Sequence, residues 1–289
     1  MSDKMKKARS CAEKLPILGE WLAPCAKAVT IRFSGVIADK TSPQGGISYE
    51  RFRKAIDKAF DKRGAKVIVM VINSPGGAPA QCSLITSHIR RLADEKELPV
   101  YAFVEDVAAS GGYWLACAGD EIYAQETSIV GSIGVIFSGF GFEDFIEKHQ
   151  IHRRLYTAGN EKSFMDPFVA PKAADEKRIK TLQSDIHEAF TDWVKERRGM
   201  LLQGTDKTLF EGQIWGGNKA KDAGLIDGIG ERFAVIKEKF GEDIRFVDVT
   251  PEKKTFFPLS LLTKTHHKDI ASEIIDAIET RTLWQRFGL

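Results

Sequence analysis

The sequence predicts an α/β fold with a mostly parallel sheet and flanking helices. Three observations carry that expectation. Apolar β-branched runs alternate with amphipathic stretches of helical period, the order that right-handed crossovers build. Lys66 to Ile72 is apolar almost throughout, as a central strand covered on both faces requires. Two glycine turns, Asn73-Ser74-Pro75-Gly76-Gly77 and Ala109-Ser110-Gly111-Gly112, directly follow strand runs. They therefore belong at the carboxyl edge of the sheet, where open α/β sheets place their sites.

Taken in order, Val29 to Ile37 reads as the first strand, and Pro43-Gln44-Gly45-Gly46 as a loop. Tyr49 to Lys62 has helical spacing, with Phe52, Ile56, Ala59 and Phe60 on one face. After the central strand, Ala80 to Glu95 forms a helix that turns Leu84, Ile85, Ile89 and Leu92 inward, with His88 beside that stripe as a packing histidine. Val100 to Val104 is the next strand, and Tyr113 to Ala118 the helix after Ser110. Asp120 to Ala124 is a short strand. Thr127 to Gly141, rich in glycine and β-branched residues, holds Gly131-Ser132-Ile133-Gly134. Phe142 to His149 reads as helix, and Ile151 to Ala158 as a strand leading into Gly159-Asn160-Glu161-Lys162-Ser163. A long helix from Lys172 to Arg198 keeps Ile179, Leu182, Ile186, Phe190 and Trp193 at helical spacing. Gln213 to Gly230 is a smaller helix and loop region. Lys268 to Leu289 is amphipathic through Ile270, Ile274, Ile278 and Trp284, a face suited to a neighbouring chain first, to the body second and to a membrane surface third.

At 289 residues the chain can bury a large core, and three segments are expected: an N-terminal arm at 1–28, the main domain at 29–249, and a C-terminal linker with amphipathic helix at 250–289. Lys plus Arg total 42 against 40 Asp plus Glu, so the net charge of +2 gives no reason to expect nucleic acid. The basic run Lys148 to Arg154 reads as a solvated face. None of Cys11, Cys25, Cys82 and Cys117 forms a Cys-x-x-Cys pair or stands at metal-ligand spacing from a histidine, which argues for no metal and a reducing compartment. No secretory leader is evident, because Glu13, Lys14 and Glu20 interrupt the apolar residues after Lys4-Met5-Lys6-Lys7. No window reaches the length of a membrane span. A cytoplasmic chain follows, its first residues either a docking arm or an interfacial membrane anchor.

Ser110 is the candidate nucleophile. A serine between a strand and a helix, followed by two glycines, is exposed to substrate beside unpaired N–H groups, and the Gly76-Gly77 turn on the neighbouring strand supplies the setting for an oxyanion site. Serine needs a base. His149, His187, His266 and His267 all lie off the glycine-rich loops, which weakens a histidine triad. Lys162 does sit on such a loop, with Phe164, Met165, Pro167 and Phe168 available as an apolar cover and the Ser132 hydroxyl available to hold the amine. A lysine is a base only when neutral, a state that burial beneath a substrate favours. The bland reading, a solvated loop lysine, stays open on the residues alone. A phosphate-binding loop does not fit, because Glu161 stands where that pattern needs glycine before the lysine.

In order, Asn73 to Gly77, Ala109 to Tyr113, Gly131 to Gly134, Gly159 to Lys162 and the stretch from Phe210-Glu211-Gly212-Gln213 to Gly224-Leu225-Ile226-Asp227 resemble the signal peptide peptidase A (SppA) family of serine proteases. The similarity runs from about Val29 to Phe246. The resemblance implies a ClpP/crotonase-like fold and a Ser-Lys dyad without cofactor or metal. Ser110 matches the nucleophile, Lys162 the general base, Ser132 the hydroxyl that orients the lysine, and the N–H groups of Gly77 and Gly111 the oxyanion hole. It further implies peptide substrates, signal-peptide remnants or unfolded and membrane-derived peptides among them, and a homo-oligomeric ring or dome whose dyads are sometimes shared between subunits. Many members carry a membrane helix or two tandem repeats; this sequence reads as a short single-repeat form with neither, and with peripheral membrane contact at most. Two other classes are kept in view: an acyl-CoA enzyme of the crotonase type, and a ring scaffold that binds peptides without cutting them.

Overall fold

The computed structural model describes residues 25–39, 46–159, 162–252 and 280–289. Most of the N-terminal arm with Cys11, the loop residues Pro43 to Gly45, Asn160 and Glu161, and Ile270, Ile274 and Ile278 of the tail lie outside those residues. In chain order the elements are β1 (Lys27–Ser34), α1 (Tyr49–Phe60), β2 (Ala65–Ser74), α2 (Pro79–Lys96), β3 (Val100–Ala109), α3 (Gly111–Ala116), β4 (Glu121–Ala124) and β5 (Ile129–Gly131). They continue with α4 (Glu143–Lys148), α5 (Ala173–Arg198), α6 (Asp206–Leu209), β6 (Ile214–Gly216), α7 (Gly217–Asp222), β7 (Gly228–Ile229), α8 (Arg232–Phe240) and β8 (Arg245–Asp248).

The strands form one sheet in the order β6-β5-β3-β2-β1-β8, with β4 and β7 branching from β3. Every pairing is parallel except β5 with β6. The unbroken apolar character of β2 has the expected cause. Ile68, Met70 and Ile72 enter the larger core cluster with α1 and α2, while Val67, Val69 and Val71 enter a second cluster with Val235 and Ile236 of α8. Both faces of the strand are covered from Val67 to Ile72, and every side chain in that stretch is apolar.

β3 forks. Its first half, Tyr101 to Phe103, pairs with β4; its last three residues, Val107 to Ala109, pair with β5. Between them the β2–β3 register shifts after Ile72, and Ser128 Oγ donates to the Glu105 carbonyl at 2.5 Å. The irregularity bends the strand, as bulges do, and carries its end away from β4 toward β5.

Several sequence expectations need correction. Ile151 to Ala158 is not a strand: it carries no regular structure, and Ile151, Leu155 and Tyr156 are exposed. Ile151, Tyr156 and Thr157 are strand-favouring residue types, but among the described residues no strand lies alongside to take up its backbone hydrogen bonds, and a lone strand is not stable in water. The first strand ends at Ser34, leaving Ile37 as an isolated bridge to Ile47 and Gly77. The helix after Ser110 begins at Gly111, two residues earlier than its apolar pattern indicates, because the Ser110 carbonyl already accepts from the N–H groups of Tyr113 and Trp114. Leu84 faces solvent. In α5 only the second half of the stripe is packed: Phe190 and Val194 are buried, whereas Leu182 is exposed.

Candidate active site

Ser110 occupies the corner between β3 and α3, with φ 52° and ψ −122°. A non-glycine residue with positive φ and a ψ far from the left-handed helical well is strained, and such strain survives only where the surroundings impose it. The constraints are visible. The Ser110 N–H donates to the Gly131 carbonyl at 2.8 Å, and its own carbonyl accepts from Tyr113 at 2.9 Å and Trp114 at 3.0 Å. Next along, a Cβ on Gly112 would stand 2.4 Å from the Ser74 carbonyl oxygen, so the second glycine is required for α3 to pass that close to β2.

The Gly76-Gly77 turn lies directly against this corner. The point that a Cβ on Gly76 would occupy is 2.8 Å from Ser110 Cβ and 2.9 Å from the Gly111 nitrogen. Gly77, at φ 145°, passes so near Ile37 that a side chain there would collide with the Ile37 carbonyl. Ile37 fixes the turn on both sides: its N–H donates to the Gly76 carbonyl at 2.9 Å, and its carbonyl accepts from Ala78 at 2.8 Å. In a trans peptide the N–H points opposite to the C=O. With the Gly76 carbonyl turned toward Ile37, the Gly77 N–H points away from it, and with the Ser110 carbonyl turned into α3, the Gly111 N–H points out of the helix. Neither N–H has an acceptor among the described residues. Ser74 Oγ stiffens the turn by accepting from Gly76 N–H at 3.2 Å.

Ser132 joins the same place through the sheet. Ala109 pairs with Gly131 across the β3–β5 ladder, so Ser110 and Ser132 are the residues immediately beyond that pair. Ser132 also has positive φ, 52°, and its N–H donates to the Gln213 carbonyl at 2.6 Å. Gly77, Ser110, Gly111 and Ser132 thus share one end of the sheet.

Lys162 is not brought into that group. It follows Gly159, whose carbonyl accepts its N–H at 3.2 Å, and its side chain is exposed. Among the described residues no hydrogen bond or ion pair joins it to Ser110 or Ser132. The residues expected to cover it make other contacts: Phe168 stacks on Phe142, Phe142 N–H donates to the Pro167 carbonyl at 2.6 Å, and the Arg178 guanidinium lies over the Phe164 ring. Three of the described histidines are engaged elsewhere, while His266 and His267 lie outside the described residues. His88 Nε2 lies 2.9 Å from Asp57 Oδ1, His187 Nε2 bonds the Phe210 carbonyl at 2.7 Å, and His149 packs against Phe145. Among the described residues no group of three or more His, Cys, Asp or Glu is placed to hold a metal ion, and no helix is long and apolar enough to cross a membrane.

Sequence reasoning missed the second layer. Tyr113 OH donates to the Leu225 carbonyl at 2.7 Å, and burial pushes its hydroxyl well up. Arg198, 2% exposed, pairs with Asp227 at 2.7 Å and donates to the Gly224 carbonyl. Asp227 in turn accepts from Ile122 N–H. The Gly224-to-Asp227 motif is therefore the clamp that holds α3 and β4. Its spacing was visible in the sequence; its partner Arg198 was not, being 29 positions from Asp227.

The model of Peptidase family S49 matches residues 93–244, from the end of α2 to just before β8. A protein named Na(+)/H(+) antiporter NhaA from Brucella melitensis is 40% identical over 275 residues, covering 90% of this chain but 36% of that protein. A putative signal peptide peptidase SppA of Enterococcus faecium is 30% identical over 208 residues, 71% of this chain and 60% of that one. A putative protease of Methanocaldococcus jannaschii is 31% identical over 223 residues, 76% of this chain and 70% of that one. The chain spans about a third of the antiporter-named relative and three-fifths of the Enterococcus protein. The family match covers more than half of the chain, and the archaeal likeness runs over more than two thirds of both partners, with the strained serine corner inside both stretches of similarity in sequence order: this chain belongs to Peptidase family S49.

Proposed function

We propose that the chain is a serine endopeptidase acting through an acyl-enzyme on Ser110. The observation that carries this reading is the strained Ser110 corner with two unpaired N–H groups, Gly77 and Gly111, turned out beside it. Neutral Lys162 takes the Ser110 hydroxyl proton as Oγ attacks the peptide carbonyl carbon. The carbonyl oxygen becomes the oxyanion held by the two N–H groups, an arrangement in which one donor is worth about 2.7–4 kcal/mol. The C–N bond breaks, and the lysine passes its proton to the leaving amine. Water, deprotonated by Lys162, then cleaves the ester and Ser110 regains its proton. Ser132, one residue beyond the ladder pair next to Ser110, orients the amine.

A homo-oligomer completes the site in this reading. Water favours the ammonium of an exposed lysine, so Lys162 needs cover, and the segment around it supplies the surface for a second copy: Phe140 is 76% and Tyr156 91% exposed, with Ile136, Phe145 and Ile151 also open. The substrates are peptides, with signal-peptide remnants and other membrane-derived peptides as the class to try first. Acyl-CoA chemistry is disfavoured because the two acids that precede Ser110 in sequence are engaged: Glu105 is held by Arg32 at 2.5 Å and Asp106 accepts from Asn73 at 2.6 Å. A serine-reactive phosphonate applied to the full chain is expected to modify Ser110 alone, by mass mapping, and Ser110→Ala to lower peptide hydrolysis by roughly 10⁴-fold or more. Modification of a different serine, or hydrolysis surviving in Ser110→Ala, overturns the proposal.

A further inference from the structure

Beneath the two outward N–H groups lies a contact that the catalytic scheme does not use. The point that a Cβ on Gly111 would occupy is 2.6 Å from Cys82 Sγ, 3.2 Å from Ile37 Cδ1 and 3.2 Å from the Gly77 nitrogen. Cys82 and Ile37 are both buried, at 0% and 1% exposure. Each also touches the opposite turn. Cys82 Sγ donates to the Ala78 carbonyl at 3.3 Å, one peptide beyond Gly77, and the Ile37 backbone holds Gly76 and Ala78.

We propose that Cys82 and Ile37 form a seat under Gly111 that sets the spacing between the Gly77 and Gly111 N–H groups, and are thereby positioning residues for the oxyanion. The inference rests on the serine-peptidase reading and adds to it two side chains that touch no substrate. Gly111 has no side chain of its own to fix its height above α2; the sulfur and the terminal methyl fix it from below. Interiors are close-packed, so removing either atom lets the peptide settle, and adding one lifts it. Sulfur suits the position because its longer bond and larger radius reach both turns from one Cβ. Burial pushes the Cys82 thiol up to about 12, so it remains a neutral S–H donor and places no negative charge behind the oxyanion.

The test uses the full-length protein with Cys82→Ala, Cys82→Ser, Ile37→Val and the double variant Cys82→Ala/Ile37→Val. Ile37→Val is chosen because it deletes the Cδ1 atom that makes the contact. A misplaced donor costs less than an absent one, so kcat is expected to fall about tenfold in Cys82→Ala and severalfold in Ile37→Val, with KM within twofold. Affinity for a peptide aldehyde, which forms a tetrahedral adduct on Ser110, falls by the same factor as kcat. Cys82→Ser, which keeps a donor to Ala78, recovers part of the loss, and the double variant loses less than the product of the two singles because both act on one peptide. Wild-type kcat and aldehyde affinity in Cys82→Ala and Ile37→Val, with only the melting temperature lowered, overturn the seat. Ser110→Ala run alongside separates the two claims: if it still hydrolyses peptide, the serine-peptidase reading fails, whereas if it is dead and the seat variants are fully active, only the seat fails.

Discussion

The corner around Ser110 and the segment around Lys162 are built by opposite rules. From Ala108 to Ala118 every residue except Ser110 is buried, the corner is fixed by backbone bonds to Gly131, Tyr113 and Trp114, and the turn beside it is fixed by Ile37. From 136 to 159 every residue but Glu143 and Ile146 is exposed, and nine large apolar or aromatic side chains between Ile136 and Val169 face water along with Phe168. The two regions carry the two halves of the proposed dyad. Donors that must meet a developing charge without rearranging are set in a packed interior, where position is cheap to maintain. The proposed base sits on an exposed stretch that the proposed homo-oligomer would cover. Order is thus concentrated around the serine, and the lysine segment is the less packed of the two.

That contrast can be broken from either side. The largest effect is expected from Lys162→Ala, which should reduce peptide hydrolysis about 10⁴-fold, equivalent to roughly 5.5 kcal/mol, and leave the melting temperature unchanged because the side chain is exposed. Full activity of that variant at neutral pH removes the lysine from the mechanism. Next, Asp227→Ala leaves the buried Arg198 charge unpaired and should cost about 3–5 kcal/mol in denaturant unfolding. A loss within the range of surface substitutions would mean that the corner does not depend on its clamp. The smallest effect on folding belongs to the exposed segment: Phe140→Asp and Tyr156→Asp should change unfolding free energy by no more than about 0.5 kcal/mol. Sedimentation should nevertheless show a smaller assembly, with activity falling in step. Unchanged assembly in both variants would separate the exposed surface from any role in joining copies.

Much of this was readable in the amino-acid order, and the failures have a common cause. β2 announced itself because burial on both faces leaves only apolar residues, and the Ser110 corner because a close helix-to-strand passage admits only glycine at position 112. Period alone failed where a neighbour decides the outcome. Ile151 to Ala158 holds strand-favouring residues without a strand beside it, and Leu84 and Leu182 keep helical spacing on faces that nothing among the described residues covers. The seat under Gly111 was invisible for a related reason. Cys82 reads as an ordinary small core residue and Ile37 as a strand end, and only folding brings them within reach of a residue 29 and 74 positions away. Lys162 was singled out by its loop motif; its role as base belongs to the proposal, and the Lys162→Ala assay tests it.

The backbone angles at Ser110 have a consequence for how this chain would drift under selection. Glycine adopts φ near 52° freely, so Ser110→Gly would relieve conformational strain of order 1–3 kcal/mol, offset by about 1 kcal/mol of added chain entropy in the unfolded state. A screen for heat resistance alone would therefore not defend this serine and could discard it. Under the serine-peptidase proposal, any library built to harden the protein must therefore be sorted on turnover as well as on survival.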